Sequence, residues 1–323
     1  MNEINLAPDF IDRTIEAFAR LARIFDAEHL PFIGMAVVPV LIWLYIFFRH
    51  KRENKLLTLA IFIAGMFAVI PIFIFQHEIA RIEGMSGNLF TNVILTIALT
   101  GLWVGFYEET AKYWIVKSTG RHFFRNIDDA IIFSIVVALG FAFIENVLYF
   151  RSIWNNPTID ESIRWFYVTF RSLGSMLLHI FASGILGYYY GIAYFAKPVL
   201  KDKLAEGEHF ILTRWIHRIL HLKSETVFRE EKILEGLLIA ASLHAVFDFL
   251  MGMSQHYTDI NSANAAKFWL LAAVPFLVGG FFLLTYLLDK KENHKNYGET
   301  CKNPECDILE KSSSMKNPTE TRI

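Results

Sequence analysis

The amino-acid sequence predicts an all-α, polytopic membrane protein: a bundle of about seven transmembrane helices around an intramembrane polar site. Three observations carry this reading. Of the 323 residues, 54% are hydrophobic and 15% aromatic, and with a mean hydropathy of +0.36 the chain is too apolar for an ordinary soluble domain. Seven apolar runs are long enough to cross a bilayer, which takes roughly 20 residues of helix. The loops between them alternate between basic and nearly uncharged, as in a chain that crosses repeatedly. The net charge is only −1, so the expected partners are the lipid bilayer and proteins in it, and not nucleic acid.

The elements follow in order. The N-terminal "MNEINLAPDF" has no basic stretch followed by an apolar one, so no cleavable signal peptide is expected. Residues 1–30 read as an amphipathic interfacial segment. In "FIDRTIEAFARLARIF", Phe10, Ile11, Ile15, Phe18 and Leu21 fall near one helical face, a pattern suited to the headgroup region. The transmembrane domain covers 31–288, with spans at about 31–48, 56–76, 89–117, 127–150, 165–196, 232–253 and 267–288. The loops "RHKRENK" (49–55) and "KSTGRHFFR" (117–125) and the long segment 197–231 are rich in Lys and Arg, whereas 77–88, 151–164 and 254–266 carry few.

By the positive-inside rule, the N-terminus is then outside and the basic loops and C-terminus are cytosolic. Arg13, Arg20 and Arg23, before the first span, run against this trend. Within the cytosolic loop 197–231, "FILTRWIHRILHLK" (210–223) sets Phe210, Trp215, Ile219 and Leu222 against Arg214, Arg218 and Lys223, a second interfacial helix. Residues 289–323 are polar and poor in aromatics, and are expected to form a disordered cytosolic tail. Its Cys301 and Cys306 form a lone C-x4-C, too little for a metal site, and read as free thiols in a reducing compartment. No internal repeat stands out.

Few ionisable residues lie inside the spans: Glu108, Glu109 and Lys112 in the third, Glu145 in the fourth, Arg171 and His179 in the fifth, His244 and Asp248 in the sixth. Each charge at the bilayer centre costs on the order of 2.5–3.5 kcal/mol. Side chains kept at that cost should face one another or a water-filled cavity, and they mark a functional site by default. Lys112 lies at i+4 from Glu108, close enough to pair with it, which leaves Glu109 without a partner in the pattern. Two adjacent carboxylates can divide roles between charged and protonated states, as general acid/base chemistry requires.

Taken singly, Glu145 beside Asn146 reads as a helix–helix polar contact, and His179, followed by Ala182, Ser183, Gly184 and Gly187, reads as a packing histidine. His244 and Asp248 at i,i+4 form either a structural pair or a carboxylate that orients an imidazole. The weight lies in the set: two histidines and several carboxylates on four spans are what a buried hydrolytic centre needs.

The motifs "EETAK" (108–112), "FAFIE" (141–145) and "HAVFD" (244–248) stand as E-E-x-x-K, F-x-x-x-E and H-x-x-x-D. This set resembles the PrsW family of intramembrane proteases, distant relatives of the CAAX prenyl endopeptidases and bacteriocin-processing enzymes. "IDDAIIFSIVVALGFAFIENVLYF" and "LLHIFASGILGYYYG" are similar to that family's fourth-span and His-bearing segments. The resemblance runs from about Phe106 to Gly252. It implies an endopeptidase in a prokaryotic cell membrane that cuts a membrane-anchored protein of the anti-sigma-factor type. Glu108 and Glu109 are then the catalytic glutamates and His244 the essential histidine, with Glu145, His179 and Asp248 in supporting positions.

Zinc is an open question at this stage, with His179, His244 and Glu145 as candidate ligands; the chain lacks H-E-x-x-H spacing. The expected mechanism has Glu108 or Glu109 activating water while His244, oriented by Asp248, stabilises the oxyanion or holds a metal. Helical rise raises a difficulty: Glu108 lies about 13 Å inside one end of its span and Glu145 only about 8 Å inside the opposite end of the next. Upright helices would keep those two apart, which ranks Glu145 lowest. The rival reading is a secondary transporter or proton-coupled channel using the same residues; transporters commonly show paired, broken helices in related halves, whereas the two halves here differ in span length and motif content. A non-catalytic scaffold would need no such constellation.

Overall fold

The computed structural model describes residues 10–48, 55–74, 92–157, 159, 161–195, 224–259 and 262–292. The basic loops 49–54 and 196–223, including the second interfacial segment, lie outside the described residues, as do 293–323 with both cysteines. Eight α-helices are assigned among the described residues: α1 (Phe10–Arg23), α2 (Leu30–Phe48), α3 (Lys55–Met66), α4 (Val93–Ile115), α5 (Ile127–Trp154), α6 (Glu161–Tyr194), α7 (Ser224–Asp259) and α8 (Ala263–Glu292). A turn at 67–68 follows α3, and residues 69–74 are again helical.

Six of the seven expected spans meet length and apolarity for crossing a membrane. The exception is α4. It is 23 residues long, enough for a bilayer, but Glu108, Glu109 and Lys112 dilute its apolar character. The helices also run past the expected spans. The first turns of α7, "SETVFREEK", are charged, and α8 continues to Glu292.

Local chemistry sets several boundaries. The Asn92 side chain accepts from the Ile94 N–H (3.0 Å) and caps α4. Asn126 caps α5 by accepting from the Asp129 N–H (3.0 Å). Asp129 reaches back to the Arg125 N–H (2.7 Å) and to its guanidinium (3.1 Å), so the cap closes reciprocally.

Buried almost all round, α5 forms the centre of the bundle. α6 lies along one side of it, and α3 crosses another where Gly65 meets Gly140. A Cβ on Gly140 would fall 2.1 Å from the Phe62 carbonyl oxygen, so the two backbones touch where neither residue has a side chain. α7 packs against α4 and α6, and α8 closes the far side of α6 and α7. Outward faces are apolar: Val38, Leu41 and Ile42 on α2, and Phe268, Leu271, Phe281 and Phe282 on α8, are exposed. That is the surface of a protein whose solvent there is lipid.

On α1 the apolar positions divide between two faces. Leu21 is buried together with Ala17 and Ile24, docking the helix, while Ile11, Ile15 and Phe18 are exposed. The Arg20 guanidinium lies 4.5 Å from the Phe73 ring centre. α1 is thus a helix held against the bundle with one apolar face left for the interface.

Candidate active site

The site begins with a close helix crossing. Gly101 and Gly105 sit one turn apart on the face of α4 that meets α7. A Cβ on Gly105 would come 2.9 Å from the Ala241 carbonyl oxygen and 3.0 Å from the His244 Cβ, and one on Gly101 would come 3.1 Å from the Ala245 carbonyl oxygen. Small residues at i,i+4 let two helices approach this closely. One turn further along α4 come Glu108 and Glu109, delivered directly against His244.

Glu109 is fully buried, and every contact it makes holds it in place. Its Oε1 accepts from Lys112 Nζ (2.7 Å) and lies 3.2 Å from His244 Nδ1, while its Oε2 accepts from Ser183 Oγ of α6 (3.1 Å). Glu108 is held more loosely: its Oε2 is 3.4 Å from both Lys112 Nζ and His244 Nε2. Lys112 Nζ also donates to His179 Nδ1 (2.9 Å) and stands 4.3 Å from the Phe141 ring centre. On the other side of the same imidazole, Nε2 lies 2.8 Å from Glu145 Oε2.

An ammonium can only donate and a carboxylate can only accept, so the His179 proton belongs on Nε2, with Nδ1 turned inward. Glu145 in turn accepts from the Arg171 guanidinium, which covers Tyr149 at 4.2 Å. The two imidazole centres are 5.2 Å apart.

All six expected site residues therefore gather in one cluster on four helices, with two differences from the expected roles. Glu145 was ranked last on depth and nevertheless joins. The depth offset is real. Measured from the end of the bundle where α4 begins and α5 finishes, Glu108 lies about 22 Å in and Glu145 about 14 Å in at 1.5 Å per residue. Side chains bridge it, since Lys112 reaches one ring nitrogen of His179 and Glu145 the other. The second difference concerns Asp248. Its Oδ2 is 3.6 Å from His244 Nε2, ion-pair range but too long for a hydrogen bond. Glu109 is the nearer partner that orients His244.

A family model described as PrsW family intramembrane metalloprotease matches residues 53–280. The chain belongs to the PrsW family. Among curated proteins it is similar to Protease PrsW of Clostridioides difficile strain 630, 24% identical over 271 residues covering 82% of this chain and 92% of that one. Protease PrsW of Geobacillus kaustophilus is 28% identical over 184 residues, 56% of this chain and 73% of the relative. Protease PrsW of Bacillus subtilis strain 168 is 26% identical over 200 residues, 57% and 83% of the two chains. No solved structure matches the chain. The protein is accordingly a membrane-embedded protease of a bacterial membrane, and the family match decides against the transporter reading.

PrsW membership makes the donor set of this cluster the next question. Glu108, His179 and His244 offer three ligand atoms within 4.8 Å of one another, all buried. Two imidazoles and a carboxylate are the donor set of an open catalytic zinc site. The outer partner fits as well, because metal-ligating histidines usually give their other ring N–H to a carboxylate, the place Glu145 takes on His179; the ligand nitrogen is then Nδ1, where a bound cation would take the place of the Lys112 ammonium. Glu145 was the expected third ligand; in the geometry Glu108 stands with the imidazoles instead, and Glu145 lies behind one of them.

Sequence reasoning passed over two contributors. Ser183 reads as one of several small packing residues, yet its position at i+4 from His179 puts both on one face of α6. Gly101 and Gly105 form "GLWVG", a G-x-x-x-G spacing that signals a close crossing just before the paired glutamates.

Proposed function

We propose that the protein cleaves a peptide bond in a membrane-anchored protein at the glutamate–histidine cluster, with Glu109 as the general base. The observation that carries this reading is convergence: Glu108, Glu109, His179 and His244, from three helices, meet in one buried cluster. Glu108, His179 and His244 would hold a divalent cation, which when bound supplies Lewis-acid polarisation. Zinc is the ion this donor set favours.

The remaining work falls to the chain itself. Glu109, fixed by Lys112 and Ser183, takes a proton from the attacking water while the water oxygen bonds to the scissile carbonyl carbon. The Lys112 ammonium faces the negative charge that develops on the carbonyl oxygen. When the carbon–nitrogen bond breaks, Glu109 returns the proton to the departing amine, leaving a carboxylic acid and an amine, and transfer of the acid's proton to the amine gives the carboxylate and ammonium products. Glu145 and Arg171 hold His179 in one tautomer.

Loop charge supports an orientation with the C-terminus in the cytosol. The family resemblance makes an anti-sigma factor the first substrate class to try.

The test uses the purified full chain in lipid nanodiscs with a panel of single-span reporter proteins. Glu109→Gln should lower cleavage by about a thousandfold, the span general base catalysis allows, and His244→Ala should abolish it. Cleavage that persists unchanged in both variants removes the site assignment.

A further inference from the structure

Several cavities border the bundle. A groove of about 520 Å³ between α6 and α8 is lined by Phe166, Phe170, Leu173, Val278 and Phe281. Its lining is almost wholly apolar, so any lipid chain or apolar helix suits it equally. A smaller cavity beside Arg171 belongs to the rim of the catalytic cluster. The cavity at Arg151 contains no residue of that cluster, and its chemistry is of another kind.

It encloses about 630 Å³, within the range of small-molecule sites, and lies where α2 begins, α5 finishes and α6 begins. Its lining includes Glu28, Phe32, Met35, Arg151, Trp154 and Trp165. A carboxylate, a guanidinium, two indoles and apolar side chains thus share one space. Arg151 Nη2 donates to Glu28 Oε2 (3.1 Å), and Nη1 donates to His29 Nε2 (2.9 Å). A guanidinium has five N–H groups, so these contacts fix its plane and leave donors over for an anion.

The charged pair is accessible, with 40% of the Arg151 side chain and 77% of the Glu28 side chain exposed. Trp154 and Trp165 stand at 83° to each other with ring centres 5.2 Å apart, which makes a corner of two aromatic walls. The face of an indole attracts a cation. Position agrees with chemistry, because tryptophan and arginine at the end of membrane-spanning helices sit at the level of the lipid headgroups. Exposed Val38 and Leu41 continue from the cavity along α2, and Phe166 along α6. Acyl chains below a headgroup held here would therefore meet apolar surface.

We propose that this cavity binds the phosphoethanolamine headgroup of a membrane phospholipid, its phosphate on Arg151 and its ammonium between Glu28 and the Trp154–Trp165 corner. The arrangement selects a zwitterion: phosphate meets guanidinium, ammonium meets carboxylate, and the four charges alternate. Phosphatidylglycerol offers no cation to Glu28, and a choline headgroup has no N–H to donate to it. By the loop charges the lipid belongs to the non-cytosolic leaflet. Once bound, it ties the turn between α1 and α2 to the ends of α5 and α6, six residues or about 9 Å of rise beyond Glu145 on α5. Such a lipid site goes beyond the protease reading and stands whether or not the chain cleaves peptide bonds.

The purified full chain in mild detergent would be mixed with equal amounts of phosphatidylethanolamine, phosphatidylcholine and phosphatidylglycerol carrying identical acyl chains. Native mass spectrometry would count the lipids retained. Thermal denaturation with each lipid gives a second reading, since a ligand raises the melting temperature of the state that binds it. Arg151→Gln removes the phosphate partner and Trp165→Leu one aromatic wall. Trp165 is 49% exposed, so its replacement keeps the test open even if the Arg151 variant folds poorly. Phe282→Leu, on the lipid-facing side of α8, is the control.

Wild type and the control should retain one phosphatidylethanolamine in preference to the other two lipids. Each site variant should lower that preference about tenfold or more, the scale of a lost charge-assisted hydrogen bond or cation–π contact. Excess soluble phosphoethanolamine should displace the lipid, and inorganic phosphate should not. Equal retention of the three lipids overturns the proposal and leaves unselective boundary lipid. Preference for phosphatidylglycerol, or displacement by inorganic phosphate, overturns it in favour of a simple anion site. A preference that survives both site variants places the lipid elsewhere and overturns it too. Phosphoethanolamine bound as tightly as the whole lipid would assign the cavity to a soluble ligand and overturn the membrane-lipid assignment.

Discussion

Arg171 and Glu145 form the pair on which the His179 imidazole leans. The two side chains are mostly buried, at 16% and 26% exposure, and Glu145 passes its orientation to His179 through a 2.8 Å contact. Removing one partner of such a pair leaves an uncompensated charge, which costs about 3 kcal/mol. Arg171→Met should therefore lower thermal stability more than the double change Arg171→Met/Glu145→Met, in which both charges are gone. The double variant should regain stability and still cleave poorly, because His179 has lost the carboxylate that selects its tautomer. Thermal denaturation and reporter cleavage on the four members of this cycle separate the two effects. A loss of stability in the double variant equal to the sum of the two single losses would mean that the pair is not coupled. Residue identity by itself pointed to most of this set, since an ionisable group in a span needs a reason to be there. It did not reveal Ser183, because a small hydroxyl among small residues reads equally well as packing.

At the level of elements, the crossing of α4 and α7 decides whether the glutamates meet His244. A Cβ on Gly105 already falls within 3.0 Å of backbone and of His244, so a larger side chain must push the helices apart. Gly105→Leu should destabilise the bundle by about 3 kcal/mol or more, at the severe end of overpacking, and should abolish cleavage. Gly279 is the matched control: it also sits within a helix, yet nothing lies within 4 Å of a Cβ added there. Gly279→Leu should leave both melting temperature and cleavage near wild type. Hydropathy located the helices, because burying backbone in lipid requires continuous internal hydrogen bonding and hence long apolar helices, but not the charged turns that extend α7 from Ser224 to Asp259 beyond its expected span of 232–253. It said little about which helices are neighbours, since lipid tails and other helices are equally apolar partners. Glycines carry part of that information: Gly101 and Gly105 on α4 meet α7, Gly187 and Gly191 on α6 meet α5, and Gly65 meets Gly140, although the spacing alone does not name the partner helix.

For the whole molecule, the donor set of the cluster carries the strongest consequence. Glu108, His179 and His244 offer three buried ligand atoms within 4.8 Å of one another, the donor types of an open catalytic zinc site. Dialysis of the purified protein against a strong chelator should abolish reporter cleavage, and added zinc should restore it. His179→Ala should lower the bound metal measured by elemental analysis, with the loss seen in protein that still elutes as a folded species. Full cleavage by metal-free protein would show that the carboxylates and Lys112 suffice without an ion.

What the sequence by itself determined is the set of chemical groups and the medium they sit in: apolar runs of membrane length, and the few ionisable residues kept inside them against an insertion cost. Composition and helical period suffice for that, because both are local properties of the chain. What only the tertiary structure decided is who touches whom. Counting rise along upright helices separates Glu145 from Glu108, whereas the packed bundle joins them through Lys112 and the two ring nitrogens of His179. Long side chains span an offset that backbone height alone treats as a gap, and the approach of α4 to α7 depends on atoms that the glycines do not have.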